Sequence, residues 1–121
     1  MASQTAYVSL VERANILEGQ TILILGAAGG VGLAAIQLAN AIGAKVIAIC
    51  STKSKQEIAI KAGAKYALGY DNMINEVAEI TEKEGVDVIY DPIGGEYFLN
   101  ALKTIKWGGN CLLYTSDAAD E

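Results

Sequence analysis

A glycine-rich stretch is the part of the sequence whose residue types and spacing point most directly to chemistry. It occupies residues 26–32 (GAAGGVG), between a short apolar run and a segment whose apolar residues recur at helical spacing. A pyrophosphate needs backbone N–H groups that it can approach closely, and it is stabilised by the positive end of a helix dipole. Gly29 and Gly30 would allow that approach, and Gly32 would let the helix pack near the strand. The stretch therefore predicts a phosphate-binding turn.

The stretch departs from the strict G-x-G-x-x-G pattern, because Ala27 stands where the first glycine belongs. Its position between a strand and a helix is what makes it informative. The alternative interpretation is a tight turn in a sheet that binds nothing.

The segment after the second predicted strand bears on the choice of cofactor. A site for NAD usually places an acidic residue about 20 residues beyond the glycines, where it binds the ribose 2′-hydroxyl. Residues 50–55 (CSTKSK) contain no acid there, but they contain the hydroxyls of Ser51 and Thr52 and the ammonium group of Lys55. Hydroxyl donors and lysine charges suit a 2′-phosphate, which favours NADPH over NADH. The alternative, which is compatible with this one, is that the hydroxyls cap the following helix.

Apolar runs alternate with segments of helical periodicity along the chain. Strands are predicted at residues 21–25, 45–50, 66–69, 86–90 and 111–114. Helices are predicted at residues 6–14, 30–42, 72–84 and 98–105, and the last of these is predicted to be closed by Gly108 and Gly109. A further helix is predicted to end at Ala62 and to start either at a Ser54–Glu57 capping box or at Thr52. This alternation predicts an α/β fold, a Rossmann-type doubly wound parallel sheet that binds its ligand beyond the carboxyl ends of the strands.

Composition excludes several classes of protein. The chain has 121 residues, which suit one domain, and a net charge of −5, which argues against a nucleic-acid or anionic-membrane surface. No membrane-spanning run or secretory signal is recognised. Cys50 and Cys111 lie in separate apolar runs, which favours a reduced, cytoplasmic setting. Because the chain has no histidine, it contains no His-based metal site and no His general base. Asp91 is interpreted as a residue that caps the following turn. No catalytic residue is assigned.

Several segments resemble the cofactor domain of the medium-chain dehydrogenase/reductase superfamily, nearest to its quinone oxidoreductase (zeta-crystallin-like) branch. They are residues 26–32 (GAAGGVG), 43–46 (GAKV), 63–65 (GAK) and 90–95 (YDPIGG), with 5–7 (TAY) and 17–20 (LEGQ) similar to the segment that leads into that domain. The resemblance implies an NADPH-dependent reductase of quinones or other α,β-unsaturated carbonyls that works without zinc. Zinc-dependent members carry a cysteine ligand shortly before the first strand, whereas residues 1–20 contain neither Cys nor His.

The resemblance also implies roles for individual residues. Gly29, Gly30 and Val31 would lie on the pyrophosphate, with Ala28 beside them. Ser51 and Lys55 would lie at the 2′-phosphate, and Tyr70 near the adenosine. For Tyr70 the alternative is a half-buried loop aromatic.

The chain is shorter than the family pattern, and its C-terminus departs from that pattern. Family members are considerably longer, so residues 1–20 are expected to be a helix and linker from a missing catalytic domain, followed by a dinucleotide-binding domain at 21–114 whose sheet is truncated at its C-terminal side. Residues 111–121 (CLLYTSDAADE) can be encoded by a nucleotide sequence that resembles a widely used sequencing adapter. We therefore expect 115–121 to be a non-native tail and the chain alone to be inactive.

Three functions are consistent with these features. The first is the NADPH-binding part of a reductase whose full-length form acts on a small quinone or enone. The second is a stand-alone NADP(H)-binding sensor or accessory subunit, and the third is a non-enzymatic, crystallin-like structural protein. A sheet that lacks its last strand would expose an apolar edge, so a homodimer is also expected.

Overall fold

The structure of the chain is a computed structural model that describes residues 16–26, 29–91 and 97–113, with only the backbone of Phe98 and of residues 107–113. The predicted helix at 6–14, Ala28 and the predicted tail at 115–121 lie outside the described residues.

Within the described residues, five parallel strands form one sheet. They are β1 (Thr21–Leu25), β2 (Lys45–Ile49), β3 (Tyr66–Leu68), β4 (Val86–Asp91) and β5 (Ile105–Leu113), in the order β3-β2-β1-β4-β5. Residues 22–25 of β1, 46–49 of β2 and 88–90 of β4 are apolar and buried, as is usual where both faces of a parallel sheet are covered. The strand order is that of a Rossmann sheet, so the predicted fold class is confirmed.

In the part of the chain that the structure describes, four helices cover the two faces of this sheet. They are α1 (Gly30–Ile42), α2 (Lys53–Ala62), α3 (Met73–Ile80) and α4 (Phe98–Leu102). Alternate residues of the strands point to opposite faces. Ile22, Ile24 and Val46 therefore pack with α1 and α2, whereas Leu23 and Ile47 pack with α3 and α4.

Glycines end the first two helices, as predicted. Gly43 follows α1 with φ of 99°, and its N–H donates to the carbonyl oxygens of Ala39 and Asn40. Gly63 follows α2 with φ of 126°. At the start of α2 the cap is Thr52, whose Oγ1 accepts from the Lys55 N–H at 3.2 Å, so the proposed Ser54–Glu57 box is not the cap.

The helix predicted to continue to Glu84 ends at Ile80 instead. The Thr81 hydroxyl donates to the Val77 carbonyl at 2.8 Å and accepts from the Gly85 N–H at 3.0 Å, which closes the chain into a turn. Glu82 and Lys83 take positive φ of 55° and 68° within that turn. The apolar spacing did not predict the end of α3 at Ile80, because the helix ends through hydrogen bonds of the Thr81 side chain.

The prediction for residues 98–105 was also wrong at its end. Helix α4 stops at Leu102, and Ile105 pairs with Val86 as the first residue of β5. Gly108 and Gly109 therefore lie within β5, where the β4–β5 register shifts, rather than at the end of a helix. The predicted last strand at 111–114 is part of this longer strand, which is described to Leu113.

Candidate functional site

The candidate site lies at the carboxyl edge of the sheet. Strands β1 and β2 run in register up to the pair Leu25 and Ile49, so the segments that follow them begin side by side. Strand β4 flanks β1 on its other side. The strand order reverses between β1 and β4, which is where open α/β sheets form a crevice for ligands.

The glycine turn presents the start of α1 at this edge. Gly29 is the N-cap, with φ of −75° and ψ of 168°, and it supplies no side-chain cap. The Gly29 N–H donates to the Gly26 carbonyl at 3.3 Å, and the Gly29 carbonyl accepts from the Leu33 N–H at 2.8 Å. The first N–H groups of a helix have no acceptor within it. Those of Gly30, Val31 and Gly32 have none elsewhere among the described residues, and the first turn carries no acidic residue.

The described residues leave room at the Cβ positions of the two glycines that begin α1. A Cβ atom added to Gly29 would meet only the Gly26 carbonyl oxygen, at 3.7 Å, and one added to Gly30 would meet nothing within 4 Å. Neither residue has a positive φ. The described fold therefore does not itself require glycine at these two positions. Val31 is half-buried against the core, and Gly32 is buried in α1.

The segment after β2 places its polar groups at the same edge. Ser51, Thr52, Lys53 and Lys55 are all exposed. Thr52 uses its Oγ1 as an acceptor for the helix cap, as one of the alternatives predicted, and its hydroxyl proton remains able to be donated. The Gln56 side chain donates to the Cys50 carbonyl at 3.3 Å, which joins α2 to the end of β2.

Tyr70, which follows β3, reaches across to the glycine turn. Its hydroxyl oxygen accepts from the Gly26 N–H at 3.0 Å, and its half-buried ring lies against Tyr97 with ring centroids 4.1 Å apart. Burial raises the pKa of the Tyr70 phenol, the Gly26 N–H lowers it, and nearby Cys50, Asp91 and Tyr97 raise it further. The structure thus places Tyr70 beside the turn. The position of Tyr97 at this edge was not predicted from the sequence, because the contact between the Tyr70 and Tyr97 rings depends on tertiary packing.

These residues fit the phosphates of a nucleotide. The first N–H groups of α1 have no acceptor among the described residues, and two exposed lysines follow the neighbouring strand. Among residues 16–26, 29–91 and 97–113, no group of three or more His, Cys, Asp or Glu side chains could hold a metal ion. Within the same residues, no helix has both the length and the apolar character needed to cross a membrane.

Comparison with known proteins agrees with this geometry. The sequence pattern of a family described as zinc-binding dehydrogenase matches residues 30–120. A quinone oxidoreductase-like protein 2 homolog from Nematostella vectensis is 43% identical over 108 residues, which cover 87% of this chain and 29% of that protein.

Two solved structures share the fold closely. Escherichia coli quinone oxidoreductase in complex with NADPH superposes with a TM-score of 0.82 at 34% identity, covering 87% of this chain and 33% of that chain. A 2-haloacrylate reductase superposes with a TM-score of 0.91 at 34% identity, covering 95% of this chain and 36% of that chain.

The chain spans about a third of the length of the curated relatives it matches. The match nevertheless covers most of the chain in sequence and in structure, and the resemblance seen in the glycine turn is confirmed. The chain belongs to the zinc-binding dehydrogenase family, in the quinone oxidoreductase branch of the medium-chain dehydrogenase/reductase superfamily.

Proposed function

We propose that this chain binds NADPH at the carboxyl edge of its sheet, as the cofactor-binding part of an oxidoreductase that reduces quinones or other α,β-unsaturated carbonyls. No zinc ligand is proposed within this chain, because the sequence has no histidine and residues 1–20 have no cysteine. It also places the protein in the cytoplasm, where NADPH serves reductive chemistry and cysteines such as Cys50 stay reduced.

The observation that carries the proposal is the room that the described residues leave at the Cβ positions of Gly29 and Gly30. A glycine kept for folding has a positive φ or a crowded Cβ position, as Gly43 has with φ of 99° and Glu18 Cγ 2.8 Å from its Cβ position. Gly29 and Gly30 have neither. Glycine there is explained if a ligand occupies the space, and the N–H groups of α1 make a pyrophosphate the fitting group.

The choice of NADPH over NADH depends on the segment after β2. Ser51 and Lys55 are exposed beside the turn, and no acid occupies residues 50–55 to receive a ribose 2′-hydroxyl. A 2′-phosphate would take charge-assisted hydrogen bonds from these groups. The solved Escherichia coli relative is itself a complex with NADPH, which supports the same choice.

The reaction class is proposed from the relatives. One solved neighbour is a quinone oxidoreductase and another a 2-haloacrylate reductase, whose substrates have in common a C=C bond conjugated to a C=O group. Bound NADPH supplies the hydride, and the contribution of this chain is to hold and orient the dinucleotide. Because the chain spans about a third of the length of its curated relatives, the substrate site is proposed to include parts of a longer protein.

Calorimetry at low ionic strength tests the cofactor assignment. NADPH and NADH are titrated into the wild-type chain, into Lys55→Glu and into Lys103→Glu. Lys103 is an exposed lysine at the end of α4, near the opposite edge of the sheet, so its variant has the same change in charge away from the site. We expect the wild type to bind NADPH about tenfold more tightly than NADH, as one charge-assisted hydrogen bond would provide.

Lys55→Glu is expected to remove or reverse this preference, and Lys103→Glu to keep it. Equal affinities of the wild type for the two dinucleotides would contradict the assignment to NADPH. A wild type that binds neither would contradict the proposed function as a whole.

A further inference from the structure

Gln56, in the first turn of α2, bonds to the segment after β2 at two points. Its side-chain Nε2 donates to the Cys50 carbonyl at 3.3 Å, and its backbone N–H donates to the Thr52 carbonyl at 3.0 Å. These two carbonyls belong to the residues on either side of Ser51. Gln56 therefore holds the bend that carries the Ser51 hydroxyl from both of its ends.

The strand side of this bend is fixed by the sheet. The Cys50 N–H donates to the Leu68 carbonyl at the end of β3, at 2.9 Å, and Cys50 itself is buried. Cys50 is thus tied to β3 through its N–H and to α2 through its carbonyl. Residues 51–55 are all exposed, so the bonds of Gln56 are what connect this exposed bend to the rigid parts of the fold.

The two bonds of Gln56 differ in what they require of the residue. The backbone bond to Thr52 is an ordinary helical bond between residues four apart, which every residue except proline can make. The side-chain bond to Cys50 needs a donor of this length at position 56. Gln56 is half-buried, and its Nε2 lies 3.7 Å from the position that a Cβ atom on Gly69 would take. The amide group therefore lies between the end of β2 and the residue that follows β3.

We propose that Gln56 is a positioning residue that fixes the Ser51 hydroxyl for the ribose 2′-phosphate and so increases the preference for NADPH over NADH. Gln56 acts through the Cys50 carbonyl and does not itself contact the nucleotide. A hydrogen bond from a hydroxyl depends on direction as well as distance, so the Ser51 hydroxyl needs a fixed backbone more than the lysine charge beside it does. This inference rests on the proposed NADPH binding.

Gln56→Met tests this role, because methionine has a similar length and helix propensity but no hydrogen-bond donor. The variant keeps the backbone bond to Thr52 and loses the side-chain bond to Cys50. NADPH and NADH are titrated by calorimetry into the variant and the wild type. We expect Gln56→Met to weaken NADPH binding by roughly fivefold, as the loss of one hydrogen bond to the 2′-phosphate would, and to change NADH binding by less than about twofold.

Two further proteins make the test specific. Gln37→Met is the matched control, because Gln37 is exposed in the middle of α1, and it should bind both dinucleotides as the wild type does. Ser51→Ala removes the hydroxyl that Gln56 is proposed to position. If Gln56 acts through this hydroxyl, the double variant should bind NADPH no more weakly than Ser51→Ala alone.

Three outcomes would overturn the inference and leave NADPH binding by the wild type in place. An equal loss of affinity for NADPH and NADH in Gln56→Met would mean that Gln56 supports only the fold. Unchanged affinities in Gln56→Met would mean that its side-chain bond does not matter for binding. Additive losses in the double variant would mean that Gln56 acts independently of Ser51. A wild type that does not prefer NADPH refutes the proposed function first, and this inference with it.

A measurement on the wild type covers the case in which Gln56→Met does not fold. In NMR titrations, adenosine 2′-monophosphate is expected to shift the Ser51 backbone amide and the Gln56 side-chain amide signals with one common dissociation constant. A Gln56 side-chain amide signal that stays in place while the Ser51 signal shifts would contradict the proposal.

Discussion

At the scale of single residues, Tyr70 has the environment that most clearly makes stability depend on pH. Burial raises the pKa of its phenol above the ordinary value of 10.0. In the unfolded chain the phenol ionises at its ordinary pKa, whereas in the folded chain it holds its proton to higher pH. The folded state then binds more protons, so the stability contributed by Tyr70 is complete below about pH 10 and is lost as the pH rises through the folded pKa.

Urea unfolding at pH 8 and at about pH 10.5 measures this loss. We expect the free energy of unfolding to fall less between the two pH values in Tyr70→Phe than in the wild type. Tyr66→Phe is the control, because Tyr66 lies on the edge strand β3 with 36% of its surface exposed. It should show the same fall as the wild type. An equal fall in the free energy of unfolding of all three proteins would mean that folding does not raise the pKa of Tyr70.

How much of the site the sequence could predict depends on the range of each signal. The glycine turn and the acid-free segment after β2 are local patterns, and the structure brings Gly29, Ser51 and Lys55 to one edge as the parallel sheet requires. The contact of Tyr70 with Gly26 spans 44 residues, and no local pattern encodes it.

At the scale of elements, Asp87 joins three strands at the amino edge of the sheet. Its Oδ2 accepts from the Thr21 N–H at the start of β1, at 2.8 Å. Its Oδ1 lies 2.7 Å from Lys106 Nζ on β5, with 15% of the Asp87 side chain and 42% of the Lys106 side chain exposed. The carboxylate raises the pKa of Lys106 through their hydrogen bond and their opposite charges.

The hydrogen bond between Thr21 and Asp87 should contribute more to stability than the ion pair between Lys106 and Asp87. Asp87→Ala leaves the half-buried Thr21 N–H without its acceptor, so we expect a loss of about 1–2 kcal/mol in the free energy of unfolding. Lys106→Met removes only the exposed ion pair and should cost clearly less stability than Asp87→Ala, a cost that shrinks further in high salt. Equal losses from urea denaturation of the two variants would contradict this assignment.

The predicted ends of helices were wrong where strand pairing or side-chain hydrogen bonds, and not the apolar spacing, determined where the helix ends. Phe98, Ala101, Leu102 and Ile105 fit a helical stripe, but Ile105 pairs with Val86 in the sheet. Next to it, Thr104 donates its hydroxyl to the Ala101 carbonyl at 2.6 Å, which turns the chain out of α4. Elements with a strong local stop, such as α1 before Gly43, were predicted with the bounds that the structure gives.

At the scale of the whole molecule, the glycines at the two ends of α1 allow ligand binding and folding stability to be tested separately. Gly29 at its N-cap has φ of −75° and open space, whereas Gly43 at its C-cap has φ of 99° and lies near the opposite edge of the sheet. If the central claim is right, a methyl group at the first position obstructs the pyrophosphate, whereas a methyl group at the second strains the backbone and crowds the Glu18 side chain. The same substitution at the two positions should therefore have opposite effects on affinity and on stability.

The most direct test is a calorimetric titration of NADPH into the wild type, Gly29→Ala and Gly43→Ala, with urea unfolding of each. We expect Gly29→Ala to weaken NADPH binding by about tenfold or more while changing the free energy of unfolding by less than about 1 kcal/mol. Gly43→Ala should lose about 1–2 kcal/mol of stability and bind NADPH as the wild type does. Wild-type affinity in Gly29→Ala would contradict the claim that the glycine turn holds the dinucleotide.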